Sequence, residues 1–123
     1  MLRPFKADLH IHTCLSPCTE LDMFPGRILT AAKKKEIDII GICDHNSSEN
    51  SLAVMNAAKK MNINIFPGME VTSLEEVHVL ALFDEIENAL KLQEHVYANL
   101  PGENDEDAFG MQIIVNERGE VLG

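Results

Sequence analysis

Two imidazoles one residue apart, His10 and His12, stand near the start of the chain in the run Ala7-Asp8-Leu9-His10-Ile11-His12. Read as a β-strand, this run places Asp8, His10 and His12 on one face and Leu9 and Ile11 on the other. Two histidines so spaced can reach one divalent ion, and a carboxylate behind them can orient an imidazole. Alone, the pair reads more simply as two partly exposed histidines. What favours a metal is the recurrence of such groups where apolar runs end: Asp44 and His45, then Glu70, then His78 at the head of a later run. In α/β folds, residues at the carboxyl ends of strands converge on one mouth although far apart in sequence. Histidines with a carboxylate suit zinc, manganese or iron better than magnesium, which prefers oxygen ligands.

The elements that must position these groups alternate between strand and helix. A loop from Thr13 to Phe24 leads to a helix from Pro25, suited to a first turn, to Glu36, with Ile28, Leu29 and Ala32 as its buried stripe. Lys33, Lys34 and Lys35 read as a solvated helix end that favours the dipole. Ile37 to Cys43 is apolar and β-branched, as in a strand buried on both faces, with Cys43 in the core. Ser48 or Asn50 can cap the next helix, which carries Val54, Ala57, Ala58 and Met61 and closes at Asn62.

A third strand, Ile63 to Phe66, runs into Pro67-Gly68-Met69-Glu70, and a fourth spans Val77 to Phe83. A helix from Asp84 or Glu85 to Asn99 has Ile86, Ala89, Leu90, Val96 and Leu100 as its apolar side, leaving His95 solvated. Pro101 to Ala108 reads as an exposed loop, Met111 to Val115 as a fifth strand, and Asn116 to Gly119 as a turn back into Glu120-Val121-Leu122. The chain stops there, short of the helix expected to close an α/β unit.

With 123 residues the sequence suits a single domain. At 46% hydrophobic and 24% charged it has the composition of a soluble globular protein. It shows no membrane-length apolar run and no signal-peptide pattern. Three cysteines without framework spacing fit a reducing compartment, so a cytoplasmic location is expected. The formal charge of −10 argues against general nucleic-acid binding. Small phosphate esters stay open as substrates, because bound divalent ions reverse the local field.

Ala7-Asp8-Leu9-His10-Ile11-His12-Thr13 with Ser16, then Asp44-His45-Asn46, Gly68-Met69-Glu70 and His78-Val79-Leu80, together resemble the PHP family, named for polymerase and histidinol phosphatase. The resemblance implies an α/β fold of mostly parallel strands alternating with helices, a distorted β/α barrel. It also implies two or three divalent metals and hydrolysis of phosphate esters by metal-activated water. Carried onto this chain, His10 and His12 would hold one ion, Glu70 would bridge it to a second also bound by His78, and His45 would bind a third. Asp44 and Glu70 would be the catalytic carboxylates, with Asp44 and Asp8 orienting imidazoles from behind.

Two departures stand out. Where many relatives place a histidine or aspartate after the first motif, this chain has Pro17 and Cys18. Cys18 reads equally as a thiolate ligand or an ordinary loop thiol, and its pairing with Cys14 is weak evidence for a separate zinc site. The family's later metal-binding histidine and its closing Gly-x-Asp-x-His motif have no counterpart, so half a barrel and an incomplete cluster are expected. The chain then reads as a fragment, a truncated product, or a half that pairs with itself or a complementing chain, association being favoured by uncovered sheet edges.

The expected chemistry needs no serine or cysteine nucleophile. Substrates left open are a nucleotide or nucleoside bisphosphate, histidinol phosphate, another small phosphomonoester, or an oligonucleotide end. Arg3 and Arg27 are expected at the surface, since nothing in the pattern places them at the mouth. A non-catalytic metal-binding or assembly module is the main alternative. An amidohydrolase, whose barrels also open with His-x-His, fits the later motifs less well.

Overall fold

The computed structural model describes residues 1–123. Three short strands, β1 (Ala7–Ile11), β2 (Ile39–Ile42) and β4 (Asn64–Phe66), form a parallel sheet in the order β1-β2-β4. The apolar stripes read from the sequence cover it. Helix α1 (Pro25–Lys34) buries Ile28, Leu29 and Ala32, and α2 (Ser51–Ala57) brings Val54, with Ala58 just beyond, into the same cluster as Ile40 and Ile42. This is the core. Helix and strand periodicities agree there on which residues face inward, so local and tertiary preferences reinforce each other.

The second sheet continues the first by two interrupted strands. Chain β2 passes through Cys43 into β3 (Asp44–His45), and β4 passes through Pro67, which has no N–H to donate, into β5 (Gly68–Thr72). Strand β3 pairs parallel with β5, and β6 (His78–Leu82) pairs antiparallel on the far side of β5. Gly68-Met69-Glu70, into which the third strand was expected to run, opens a strand of its own. The next strand returns through a tight turn, with Ser73 N–H donating to the Val77 carbonyl at 2.9 Å, and does not run parallel. Five residues between strands leave no room for the crossover that a parallel connection requires.

Glycine is needed at the start of β5. A Cβ on Gly68 would run into the Ala81 carbonyl of β6, and one on Gly41 would meet the Leu9 carbonyl at 2.6 Å. At both positions the neighbouring strand's backbone leaves no room for a side chain.

Helix α3 (Ile86–Asn99) buries Ala89 as expected and half-buries Ile86, Leu90 and Val96, while His95 is exposed. Leu100 is exposed, because the helix ends at Asn99 and Leu100 turns extended. The expected loop after it contains one short helix, α4 (Glu106–Phe109), capped by the Asp105 side chain. Met111 to Val115 is not a ladder strand. Val115 makes a single bridge to Val121, closed by the expected turn with Gly119 at φ 79°. No helix is long and apolar enough to cross a membrane.

Gly68→Ala is expected to lower stability by about 1–3 kcal/mol through overpacking against backbone. A urea midpoint equal to that of the unsubstituted chain would show that β5 and β6 separate without cost.

Candidate metal centre

Four histidines and one carboxylate meet at the junction of the two sheets. His45 lies in register beside Glu70 across β3 and β5, so both side chains leave the same face. His78 pairs with Thr72, two residues from Glu70, and is therefore its diagonal neighbour on that face. The reversal of β6 brings its first residue to the end where β1 and β3 finish, which is how a histidine at the head of a strand joins groups at the tails of others. Strand β1 supplies His10, and His12 follows it directly.

The donor atoms are tightly gathered. Glu70 Oε2 lies 2.9 Å from His10 Nε2, 3.0 Å from His12 Nε2 and 3.7 Å from His45 Nδ1, while Oε1 lies 2.9 Å from His78 Nδ1. His10 Nε2 and His12 Nε2 are 3.1 Å apart. Cys18 Sγ stands 3.5 Å from His45 Nε2. Three groups therefore have ligand-like spacing: His10, His12 and Glu70; His45, Glu70 and His78; and His12, Cys18 and His45.

Behind this cluster stands a buried polar network. Asp44 is fully buried and accepts from Thr13 N–H at 2.6 Å, Thr13 Oγ1 at 2.7 Å and Ser16 Oγ at 2.7 Å. Burial raises its pKa, and the bonds from Thr13 and Ser16 oppose that rise. With its proton given to Asp44, Ser16 Oγ can only accept from its other neighbours, the His45 N–H at 3.1 Å and His12 Nδ1 at 3.0 Å. This assigns the proton on His12 to Nδ1 and turns the lone pair of Nε2 toward the cluster.

The donor set fits a cation. Burial, followed by the His45 charge, pushes the His12 pKa down against the pull of Glu70, so the neutral ring is favoured. A neutral His12 then points a lone pair at a carboxylate oxygen 3.0 Å away, with no proton between them. Burial pushes the Glu70 carboxyl up, but hydrogen bonds from His10 and His78 and the His45 charge outweigh it and bring it to about 2. Atoms that share an ion at bond lengths of about 2.0–2.1 Å lie about 3 Å from one another, as these do.

Asp8 and Asp44, expected to orient imidazoles, bond elsewhere, whereas Arg3, Arg27 and Cys43 stand at the surface and in the core as the sequence suggests. The Asp8 carboxylate reaches the His10 backbone N–H at 3.3 Å rather than an imidazole. Asp44 acts on His12 and His45 through Ser16 and touches neither ring. Arg27 pairs with Asp22 at 3.0 Å and Arg3 lies over the Phe5 ring, both away from the cluster. Cys43 is buried, and burial pushes its thiol up to about 12. Cys14 is also buried, with Sγ toward the Ile113 carbonyl and not toward Cys18.

Other residues carry functions that spacing did not reveal. Asn46, at φ 53°, accepts from Thr72 N–H and so extends the β3–β5 pairing past His45. That left-handed position suits asparagine. Asn50 occupies the cap position of α2 without capping it. Its amide donates to Thr13 Oγ1 and the Ile113 carbonyl and accepts from Val115 N–H, tying residues 113–115 to the Asp44 network. The signal was a polar residue among buried neighbours, which a helix cap explained equally well.

Comparison with known proteins agrees with this geometry. The PHP domain family matches residues 8–109. An uncharacterized protein of Methanocaldococcus jannaschii is 31% identical over 100 residues, covering 74% of this chain and 58% of its own length. A crystal structure from Bifidobacterium adolescentis, named as a "putative metal-dependent phosphoesterase", aligns with a TM-score of 0.52 at 26% identity over 65% of this chain and 27% of that one. The chain thus spans little more than half of the first relative and about a quarter of the second.

Ser16→Ala removes the link that orients His12 and leaves an oxygen of buried Asp44 short of a donor. Divalent-ion affinity is expected to fall about 10–100-fold, read by isothermal titration. An unchanged affinity would mean that the His12 ring is held by packing alone.

Proposed function

The chain belongs to the PHP domain family, and we propose that it is a metal-dependent phosphoesterase domain acting on small phosphate monoesters or nucleotides. The observation that carries this reading is the convergence of His10, His12, His45 and His78 on the two oxygens of Glu70. In this reading His10, His12 and Glu70 would hold one ion, and Glu70 with His78 a second. His45 and Cys18 complete the ligand set on the remaining side, and residues 1–123 act as one PHP-like domain. Zinc, manganese or iron suits these donors. Such ions, when bound, acidify water and offset phosphoryl charge.

The residues of the chain do the rest. Glu70 faces His10 and His12 with one oxygen and His78 with the other, so it would serve both positions. Ser16, supported by Asp44, presents His12 through Nε2. An open cleft of about 1340 Å³ beside His45, His78 and Cys18 gives a substrate access, walled by Leu15, Leu74, Tyr97 and Phe109. A protein with formal charge −10 repels a long polyanion but admits a small ester to a cation-loaded cleft. Free cysteines fit a cytoplasmic setting.

A second reading rests on the ligand groups alone, whose spacing suits an ion whether or not an ester is turned over. In it the domain binds metal without turnover, alone or completed by another copy or chain.

Metal analysis of the chain and of Glu70→Ala, with a phosphomonoester screen, separates the two. The phosphoesterase reading expects stoichiometric ions that are largely lost in Glu70→Ala, together with turnover lost in the same variant. Ions without turnover of any ester favour the binding module, and metal content indifferent to Glu70 defeats both.

A further inference from the structure

Two side chains one turn apart on α3, Gln93 and Tyr97, reach the loop that follows His45. Gln93 is buried, and its amide fits in one orientation. Its Oε1 accepts from the Ser48 N–H at 2.7 Å, and its Nε2 donates to Glu49 Oε1 at 3.2 Å. Ser47 Oγ then donates its proton to Gln93 Oε1 at 3.4 Å and accepts from the Glu49 N–H at 3.3 Å. A hydroxyl has one proton to give, so the 2.6 Å bond between Ser47 Oγ and the Tyr97 phenol is made with the proton of the tyrosine. Burial raises the pKa of that phenol, which keeps the proton in place.

Tyr97 therefore meets the open cleft with lone pairs and no proton. Its neighbours on that wall are alike. Asn99 donates an amide N–H to the His95 carbonyl at 2.8 Å, and Asn104 donates one to the Gly110 carbonyl at 3.1 Å, so both amide oxygens are left to accept. Glu106 adds a carboxylate, and no lysine or arginine lines the cleft. Such a wall bonds O–H groups and opposes a phosphate, whose oxygens are acceptors and carry negative charge. Ser47, the partner of Tyr97, stands two residues from His45, and both line the cleft. A phosphoryl group at the metal centre thus directs the organic part of its ester toward Tyr97.

We propose that Tyr97 is a specificity-determining residue, and that the cleft takes monophosphates of a neutral, hydroxyl-bearing molecule, a sugar or polyol in kind, with the phenol oxygen accepting from a hydroxyl of the organic part. This deepens the phosphoesterase reading and rests on it for the place of the phosphoryl group. A second phosphate on the organic part would face the Tyr97 lone pairs and Glu106, so a bisphosphate is disfavoured.

Glycerol 3-phosphate and propyl phosphate, which differ only in hydroxyls, test this on the manganese-loaded chain. Relative kcat/KM compares them where esters are turned over, and isothermal titration compares their affinities where they are not. The hydroxylated ester is expected to be preferred about 3–10-fold, as for one half-exposed neutral hydrogen bond. In Tyr97→Phe, which keeps the ring, the preference is expected to fall to about one. Tyr97 is the single tyrosine of a chain without tryptophan, so its emission in the unsubstituted protein reports arrival at this wall. Glycerol 3-phosphate should change that emission more than inorganic phosphate does. Equal use of the two esters, a preference that survives Tyr97→Phe, or fructose 1,6-bisphosphate used better than fructose 6-phosphate overturns the proposal and leaves the phosphoesterase reading standing. Equal losses on both esters in Tyr97→Phe show a merely structural tyrosine and also overturn it. Failure of inorganic phosphate and every ester to bind or react defeats both.

Discussion

A carboxylate held wholly inside the protein organises everything around it. Asp44 is sealed from water, and an ionised group there is sustained only by donors that face it. Thr13 supplies two and Ser16 one. In accepting them Asp44 pins the loop that follows β1 against the start of β3, which are distant in sequence. The same bonds decide what Ser16 can offer its other neighbours, and through Ser16 they fix the protonation of His12 and the position of the His45 backbone. One buried charge thus sets both the local fold and the chemical face of two imidazoles.

Its influence extends outward through Asn50. By binding Thr13 Oγ1 on one side and backbone groups of Ile113 and Val115 on the other, Asn50 connects the last part of the chain to the Asp44 network. Polar groups buried this deeply are costly unless all are satisfied, so the network favours one arrangement of these segments over alternatives of similar hydrophobic content. Residues 113–115 meet residues 121–123 through a bridge and backbone bonds, and Asn50 bonds the backbone of Ile113 and Val115 as well.

The cluster itself depends on strand direction. Parallel pairing sets His45 beside Glu70, and antiparallel return sets His78 diagonally across from it. Had β6 run parallel, its first residue would lie at the opposite end of the sheet. The Gly68 backbone against the Ala81 carbonyl allows the close pairing that this return needs.

Read alone, the sequence determined the alternation of elements, the stripes Ile28-Leu29-Ala32 and Ile40-Ile42 that form the core, and the residue types able to bind metal. These follow from local periodicity and from side-chain chemistry, which need no knowledge of distant contacts. The family motifs were legible for the same reason. Tertiary structure alone decided that Gly68 to Thr72 is a strand, that β6 reverses, that Asp44 works through Ser16, and that Asn50 bonds distant backbone rather than capping α2. Strand direction and long-range hydrogen bonds depend on residues tens of positions apart, and a window of neighbouring residues carries no record of them. The placement of Cys18 against His45, 27 positions apart in the chain, is of this second kind.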